Sequence, residues 1–188
     1  MIQKLELKNF AKFEKLSVQF SPRINIIIGE NGTGKTQLLK AAYVANSALS
    51  DQLQGADLTK RLYRTYRPAS DALSKLVRHG TLVGEYAEFD AQFVGGQRLH
   101  ATFTLASKTV ALPQSIATPT LGAPIFLPTK EVLSLLRGIK SKDADLRTIE
   151  SIFDSTYLDL CERLMVSKPV KAEEMIERDP RFGAIYET

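Results

Sequence analysis

Residues 24–36 read INIIIGENGTGKT, a short β-branched run followed by a glycine-rich loop that ends in Lys35 and Thr36. The run Ile24–Ile28 is apolar enough for a central strand that is buried on both faces. The loop has the G-x-x-x-x-G-K-T spacing of a phosphate-binding P-loop. Its glycines let backbone N–H groups converge on a phosphate, while Lys35 adds a cation and the Thr36 hydroxyl is suited to ligate Mg²⁺. The pattern predicts a nucleoside triphosphate site.

The residues after the loop have the pattern that a P-loop requires. Apolar residues recur there at helical spacing: Leu38, Leu39, Ala42, Ala45 and Leu49. A helix that opens at Thr36 adds its positive N-terminal end to the anion site. Strand, loop and helix therefore follow one another in the expected order.

Two strands are predicted ahead of the loop. Leu5 and Leu7 alternate with charged residues, which is typical of a half-buried strand. A second alternation comprises Leu16, Val18 and Phe20. The link Asn9–Lys15 carries no strand pattern, so we expect it to be a loop.

The lead-in and the loop together resemble the N-terminal lobe of the ABC-type ATPases of the SMC, Rad50, RecF and OLD group. The residues that carry the resemblance are Ile2, Leu5, Leu7, Asn9, Phe10 and Phe13, followed by residues 25–36. Two later segments, 124–134 and 153–160, resemble the OLD-like "AAA family" ATPases of bacterial anti-phage systems. The resemblance implies an α/β P-loop NTPase fold, the N-terminal lobe of an ABC-type head, with an antiparallel β-layer and a helical arm.

The resemblance also implies that ATP and Mg²⁺ are the cofactors, with Thr36 as the magnesium ligand. The nucleotide-binding set would be Lys12, Gly29, Glu30, Asn31, Gly32, Thr33, Gly34, Lys35, Thr36 and Gln37. In the wider group the segment after the Asn-Phe pair lies near the base. Ala11, Lys12 and Phe13 are therefore expected on the adenine side, with contact through the Lys12 charge or through stacking of Phe13.

The second half of such a nucleotide site is missing from this sequence. A Walker B strand needs an apolar run and then an acidic pair, but Glu85–Asp90 alternates and Tyr157–Leu160 lies in a helical pattern. No serine-glycine signature is present either, so no catalytic residue is assigned. We therefore expect an N-terminal half that hydrolyses ATP only with a C-terminal lobe or partner chain, in a homodimer of heads. Without that lobe, Ile24–Ile28 and Ile125–Leu127 should leave apolar surface open.

The remaining segments suggest a four-part organisation: residues 1–50, a helical insert 51–82, a β-hairpin layer 83–112, and a strand and helical arm 125–188. Residues 87–105 alternate on both sides of Gly95-Gly96, which predicts a hairpin, and Thr109–Leu112 is a candidate third strand. An apolar stripe predicts a long helix over Asp143–Met165, with Cys161 buried or half-buried beside it. Ala172–Glu177 suggests a further short helix.

Several polar residues allow two interpretations. Asp57–Gly80 is expected to be helical and broken at Pro68. Its basic and aromatic residues suit either DNA phosphates and bases or a solvated helix face: Lys60, Arg61, Tyr63, Arg64, Tyr66 and Arg67. Thr129, Lys130 and Glu131 stand either at the Q-loop position that the resemblance implies or at a simple helix cap. His79 is expected at a helix C-terminus and His100 on a solvent-facing strand surface.

The composition excludes several broad classes. The chain has 188 residues and a net charge of +4, with 44% hydrophobic and 24% charged residues, so it is neither disordered nor strongly basic. One cysteine excludes an internal disulfide. No leader or bilayer-spanning run is evident, so a cytoplasmic protein without a membrane partner is expected.

Three functions remain open at this stage. The first is the ATP-binding half of an OLD-like ATPase that controls a DNA-processing or defence nuclease. The second is a small stand-alone P-loop kinase, although the hairpin ahead of the loop is unusual for that class. The third is a non-enzymatic nucleotide-binding module that works through protein contacts.

Overall fold

The computed structural model describes residues 1–50, 55–68, 72–112, 124–127 and 154–166. These ranges form an α/β structure in which helices cover one face of an antiparallel sheet, which confirms the predicted fold class. The strands are β1 (Ile2–Phe10), β2 (Phe13–Gln19), β3 (Ala87–Phe93) and β4 (Arg98–Phe103). The helices are α1 (Lys35–Ser50), α2 (Gly55–Tyr66), α3 (Ser155–Val166) and a short 3-10 helix, Leu73–Lys75.

The sheet has the order β2-β1-β3-β4, and neighbouring strands are antiparallel. Alternation sorts its side chains into a buried and a polar face. Leu7 of β1 stands opposite Leu16 of β2 and Phe89 of β3 on the buried face. Glu6 stands opposite Ser17 and Asp90 on the polar face. The predicted hairpin on either side of Gly95-Gly96 is confirmed as β3 and β4.

The core is built around Phe10 at the end of β1. This fully buried ring makes edge-to-face contacts with Tyr66, Phe89 and Phe103, at centroid distances of 5.4, 5.6 and 6.1 Å. Helix α1 packs against the same core, as its apolar spacing predicts. Its buried positions include Leu38, Ala41, Val44, Ala45, Ala48 and Leu49, whereas Leu39 is 45% exposed. The buried face is therefore rotated from the predicted one, toward the small residues Ala41 and Ala48.

The predicted central strand Ile24–Ile28 is not a strand among the described residues. Its backbone pairs with no described strand, although the Ile24 carbonyl accepts a hydrogen bond from the Ser21 hydroxyl at 2.9 Å. Ile24, Ile26 and Ile28 are 83%, 80% and 89% exposed, while Ile27 packs on the core. Ile125 and Leu127 are also exposed, and residues 124–127 have no strand pairing in the described ranges. The β-branched residues do form an apolar surface, but no described strand lies beside this segment to make the backbone hydrogen bonds of a central strand.

Two further strand predictions need correction. The link Asn9–Lys15 belongs mostly to the sheet, because β1 runs to Phe10 and β2 starts at Phe13 around a tight two-residue turn. Positive φ angles at Asn9 and Ala11 allow this turn. The candidate third strand Thr109–Leu112 is reduced to one bridge, between Ala111 and Thr102.

The helical predictions hold only in part. The segment 57–80 is not one broken helix: α2 ends at Tyr66, before Pro68, and a 3-10 turn and an isolated bridge at Val77 follow. His79 therefore lies in a turn and not at a helix C-terminus. Asp154 precedes α3 and is not helical, so within the described residues the helix predicted over 143–165 is present only from Ser155. Residues 113–123, 128–153 and 167–188, including Thr129, Lys130, Glu131 and Ala172–Glu177, lie outside the described residues, and the four-part division stays a prediction.

Candidate functional site

The loop between Ile28 and α1 forms a closed turn around the Lys35 side chain. The Lys35 ammonium donates to the Gly29 carbonyl at 2.7 Å and to the Glu30 carbonyl at 2.6 Å. The Thr33 hydroxyl donates to the same Glu30 carbonyl at 2.9 Å. The lysine charge is thus held inside the loop at the start of α1, where an anion gains from both the cation and the helix N-terminus.

Two glycines give this loop a shape that other residues cannot reproduce without strain. Gly32 has φ +80° and Gly34 has φ +101°, in the region that disfavours side chains. A Cβ on Gly34 would lie 2.9 Å from Cζ of Phe13, whereas a Cβ on Gly32 would meet nothing within 4 Å. The cradle therefore suits a group that approaches the backbone closely, such as a phosphate.

The β1–β2 turn lies directly against the loop. The Lys12 ammonium donates to the Gly32 carbonyl, and the Phe13 ring covers Gly34. The Ala11 N–H donates to the Leu76 carbonyl at 2.6 Å, which anchors the turn from the other side. The structure thus brings Lys12 and Phe13 to the predicted P-loop, although these residues are more than fifteen positions away in sequence.

The residues present fit a magnesium nucleotide in one respect. Thr36 is exposed in the first turn of α1, next to Lys35, where its hydroxyl is available as a ligand. Among the described residues there is no group of three or more His, Cys, Asp or Glu that would hold a metal by itself. Mg²⁺ would therefore be bound by Thr36, phosphate oxygens and water, which is its usual mode at phosphate sites.

A cavity of about 500 Å³ opens beside the loop. Its lining includes Ala11, Lys12, Gln37, Tyr66, Arg78 and His79. The Tyr66 hydroxyl donates to the Gln37 backbone carbonyl at 2.8 Å, and burial raises the pKa of Tyr66. The Arg78 N–H bonds to the Asn9 carbonyl at 2.8 Å, which holds the Arg78 segment at the end of β1.

No sequence pattern predicts the far wall of this cavity. Arg78 and His79 come from an irregular segment whose position depends on the isolated bridge between Val77 and Phe10. A single bridge leaves no periodic trace in a sequence. The β1–β2 turn approaches the Arg78–His79 segment with positive φ angles at Asn9 and Ala11. The spacing of residues in the sequence does not predict these backbone angles.

The basic and aromatic residues of α2 do not form one continuous face. Arg61 pairs with Asp159, while Tyr66 is partly buried against the core and Lys60 lies in an exposed pair with Asp57 at 3.6 Å. Arg64 is exposed on the outer side. This arrangement favours helix packing and a solvated surface over a single DNA-binding stripe.

Helix α3 is joined to α1 and α2 by charged side chains. Lys40 of α1 contacts Asp154 at 2.6 Å, with side-chain exposures of 16% and 14%. Asp159 accepts from both the Tyr43 hydroxyl and Arg61. Desolvation raises the pKa of Tyr43, so it stays a neutral donor. Cys161 is buried, as predicted, and burial raises the pKa of its thiol.

His100 is not simply solvent-facing, as its position on the polar face predicted. Its Nδ1 lies 2.9 Å from Asp90, which Arg98 also contacts. Cross-strand pairing of β3 and β4 places these three residues together. The contact with Asp90 raises the pKa of Arg98. The cluster is an internally satisfied polar patch.

Comparison with known proteins places the loop in a recognised class. Residues 4–60 match the AAA domain family, and this span includes the whole P-loop. The DNA replication and repair protein RecF is 49% identical over 49 residues in Ligilactobacillus salivarius and in Oceanobacillus iheyensis, and 47% identical in Bacillus thuringiensis. The matched segment covers 26% of this chain and only 13% of each RecF. The N-terminal part of the chain is therefore similar to the N-terminal lobe of ATPases of the SMC, Rad50 and RecF type.

A solved structure from work on ATP-driven dimerization and DNA-stimulated activation of SMC ATPases also overlays on this chain. The overlay covers 94% of this chain and 97% of that chain, with a TM-score of 0.44 and 19% sequence identity. No helix in the described ranges is long and apolar enough to cross a membrane.

Proposed function

We propose that this chain is the ATP-binding lobe of an ABC-type ATPase of the SMC, RecF and OLD group. The single observation that carries the proposal is the glycine cradle around Lys35 at the start of α1. Its geometry suits the β- and γ-phosphates, with Mg²⁺ at Thr36. The nucleotide-binding set named from the sequence, Gly29 to Gln37 with Lys12, is part of this proposal.

The adenine side of the site would be the cavity next to the β1–β2 turn. Its position beside Lys12 supports this assignment, because Lys12 both lines the cavity and contacts the loop that would hold the phosphates. Its volume of about 500 Å³ is within the range of small-molecule sites. Lys12 already contacts the loop carbonyl of Gly32, so it would lie between base and phosphates.

Hydrolysis would require groups from elsewhere. Neither a Walker B acidic pair nor a signature sequence occurs in the chain, and the proposal is that a C-terminal lobe and a second head supply both. The open apolar ladder Ile24–Ile26–Ile28 supports such a partner. A DNA-processing or defence nuclease under control of the ATP state, in the OLD-like manner, is the more specific form of the proposal.

Nucleotide titration of two variants tests the proposal. Lys35→Ala should abolish ATP binding measured by calorimetry, because it removes the cation held inside the loop. Lys108→Ala removes an exposed lysine near the end of β4 and serves as the matched control. Wild-type affinity in Lys35→Ala would refute the site.

A phosphate-release assay tests the requirement for a second lobe. The chain alone should show negligible turnover even when it is saturated with ATP and Mg²⁺. Steady turnover that Lys35→Ala abolishes would contradict the requirement for a second lobe and would favour an ATPase that is complete in this chain.

A further inference from the structure

The segment that leads into β3 consists of two tight turns in a row, here called the tandem turn. One turn spans residues 78–81 and the other residues 82–85, and in each the N–H of the last residue donates to the carbonyl of the first, at 3.2 and 3.1 Å. The third residue of each turn is a glycine, Gly80 with φ +90° and Gly84 with φ +94°, as a type II turn requires. The backbone of the tandem turn is therefore well defined.

Asn9 at the end of β1 anchors both ends of the tandem turn. Its carbonyl accepts a hydrogen bond from the Arg78 N–H at 2.8 Å, and its side-chain amide donates to the Tyr86 carbonyl at 3.3 Å. Within the turn, the Glu85 carboxylate accepts from the Leu82 N–H at 3.1 Å. Because the loop is held in one conformation, a partner that binds it pays little to order it.

The tandem turn presents apolar side chains that do not contribute to the core. Leu82, Val83 and Tyr86 are 70%, 93% and 56% exposed, and none of them packs on the core of the described residues. Apolar side chains that are grouped on the surface in this way mark an interaction site. Packing of the described residues gives no other reason for their position.

The charges around the tandem turn favour an anionic partner. Lys75 and His79 are exposed next to it, and the cavity that both line has no carboxylate in its lining. Arg78 adds a further cation, which pairs with Glu14 at 3.1 Å. The one carboxylate of the segment itself, Glu85, is already used inside the turn. Nucleic acid combines phosphate charges with flat apolar bases, so it matches both the cations and the apolar side chains.

We propose that the tandem turn binds nucleic acid with unstacked bases, such as a single-stranded stretch. Tyr86, Leu82 and Val83 contact the faces of the bases, while Lys75 and His79 contact the flanking phosphates. The tyrosine favours bases over lipid chains, because an aromatic ring stacks on every base. The P-loop takes no part in this surface, so the inference goes beyond the proposed function and does not depend on it.

Fluorescence anisotropy of a labelled oligothymidylate at low ionic strength tests this proposal with the full chain. Tyr86→Ala should weaken binding about 5- to 150-fold, the effect of one lost base stack, and leave the salt dependence unchanged. The double variant Leu82→Ser and Val83→Ser should also weaken binding without a change in salt dependence. Lys75→Ala should instead reduce the slope of log affinity against log salt by about 0.7, because one phosphate contact is lost.

Two matched variants control for general effects of the substitutions. Val94→Ser changes an exposed valine in the β3–β4 turn, and Lys108→Ala changes an exposed lysine beyond β4; both should leave the affinity unchanged. Thermal unfolding should be the same for all variants, since the altered side chains do not pack on the core. The oligonucleotide is titrated without ATP, so failure of the P-loop site would leave the result standing.

Three results would overturn the proposal. The first is no binding of the oligonucleotide at low ionic strength. The second is wild-type affinity in both Tyr86→Ala and the Leu82→Ser, Val83→Ser variant. The third is binding to phosphatidylserine vesicles, or self-association of the chain, that the Leu82→Ser, Val83→Ser variant abolishes while the oligonucleotide stays unbound. That third result would assign the surface to a membrane or to a second copy.

Discussion

Replacing each loop glycine by alanine separates backbone strain from steric contact in the P-loop. Gly32 and Gly34 both have positive φ angles, but only at Gly34 would the new Cβ meet the Phe13 ring, at 2.9 and 3.1 Å. The left-handed backbone costs alanine about 1–2 kcal/mol at either position. Moving the Phe13 ring off its rotamer adds about 0.5–1.5 kcal/mol for Gly34→Ala alone.

The loop is largely exposed, so a strained variant relaxes when it is free and the cost appears in ATP affinity. At 1.4 kcal/mol per tenfold, Gly32→Ala should weaken ATP binding roughly 5- to 30-fold and Gly34→Ala roughly 10- to 300-fold. Calorimetric titration measures both, and thermal unfolding should show little change. Adding Phe13→Leu should restore part of the affinity in Gly34→Ala and none in Gly32→Ala, which a double-mutant cycle resolves. Equal losses in the two variants, or no rescue by Phe13→Leu, would refute the steric argument.

Three other predictions concern parts of the fold outside the loop. Asp159→Ala should lower the free energy of unfolding by about 1–3 kcal/mol, because the Tyr43 hydroxyl and Arg61 both lose the carboxylate that they contact. Asp159→Asn keeps an acceptor and should lower it less. Equal unfolding free energies for the two variants in urea titrations would contradict this prediction. Phe10→Ala should lower the free energy of unfolding by about 3–5 kcal/mol in the same assay, because three aromatic contacts are lost. A decrease as small as that of an ordinary surface substitution would place Phe10 outside the core. Light scattering after size-exclusion chromatography should show concentration-dependent association of the wild type, because Ile24, Ile26 and Ile28 expose apolar surface. The triple variant Ile24→Thr, Ile26→Thr and Ile28→Thr should suppress this association. A wild type that stays monomeric at all concentrations would contradict the prediction that this surface recruits another chain.

The parts of the structure that could be predicted are those in which the spacing of nearby residues determines the local conformation. The P-loop spacing predicted both the turn and the helix start, because close approach to phosphate demands glycine at Gly34 and a cation at Lys35. Strict alternation predicted β3 and β4, since every second side chain of this hairpin is buried. Burial of Cys161 followed from its place beside an apolar helical stripe.

The parts that sequence reasoning missed depend on contacts between distant segments. The cavity wall at Arg78 and His79 is positioned by one bridge to the end of β1, and the Asp90–Arg98–His100 cluster by cross-strand register. The basic residues of α2 suited either a DNA-binding face or a solvated face, and neither interpretation indicated that Arg61 binds Asp159, nearly a hundred residues away. Spacing within a segment cannot report which distant partner a side chain will meet.

The exposed ladder Ile24–Ile26–Ile28 shows why apolar pattern and strand formation are separate questions. Alternate residues of this segment behave differently: Ile27 packs on the core, and its isoleucine neighbours point away from it. One face of the segment therefore already packs on the core, while the other face is exposed and the backbone pairs with no strand among the described residues. The segment leads directly into the Gly29 carbonyl that holds Lys35, so whatever pairs with this backbone also acts on the position of the loop. A partner strand would thus change both association and nucleotide affinity, which links completion of the sheet to completion of the site.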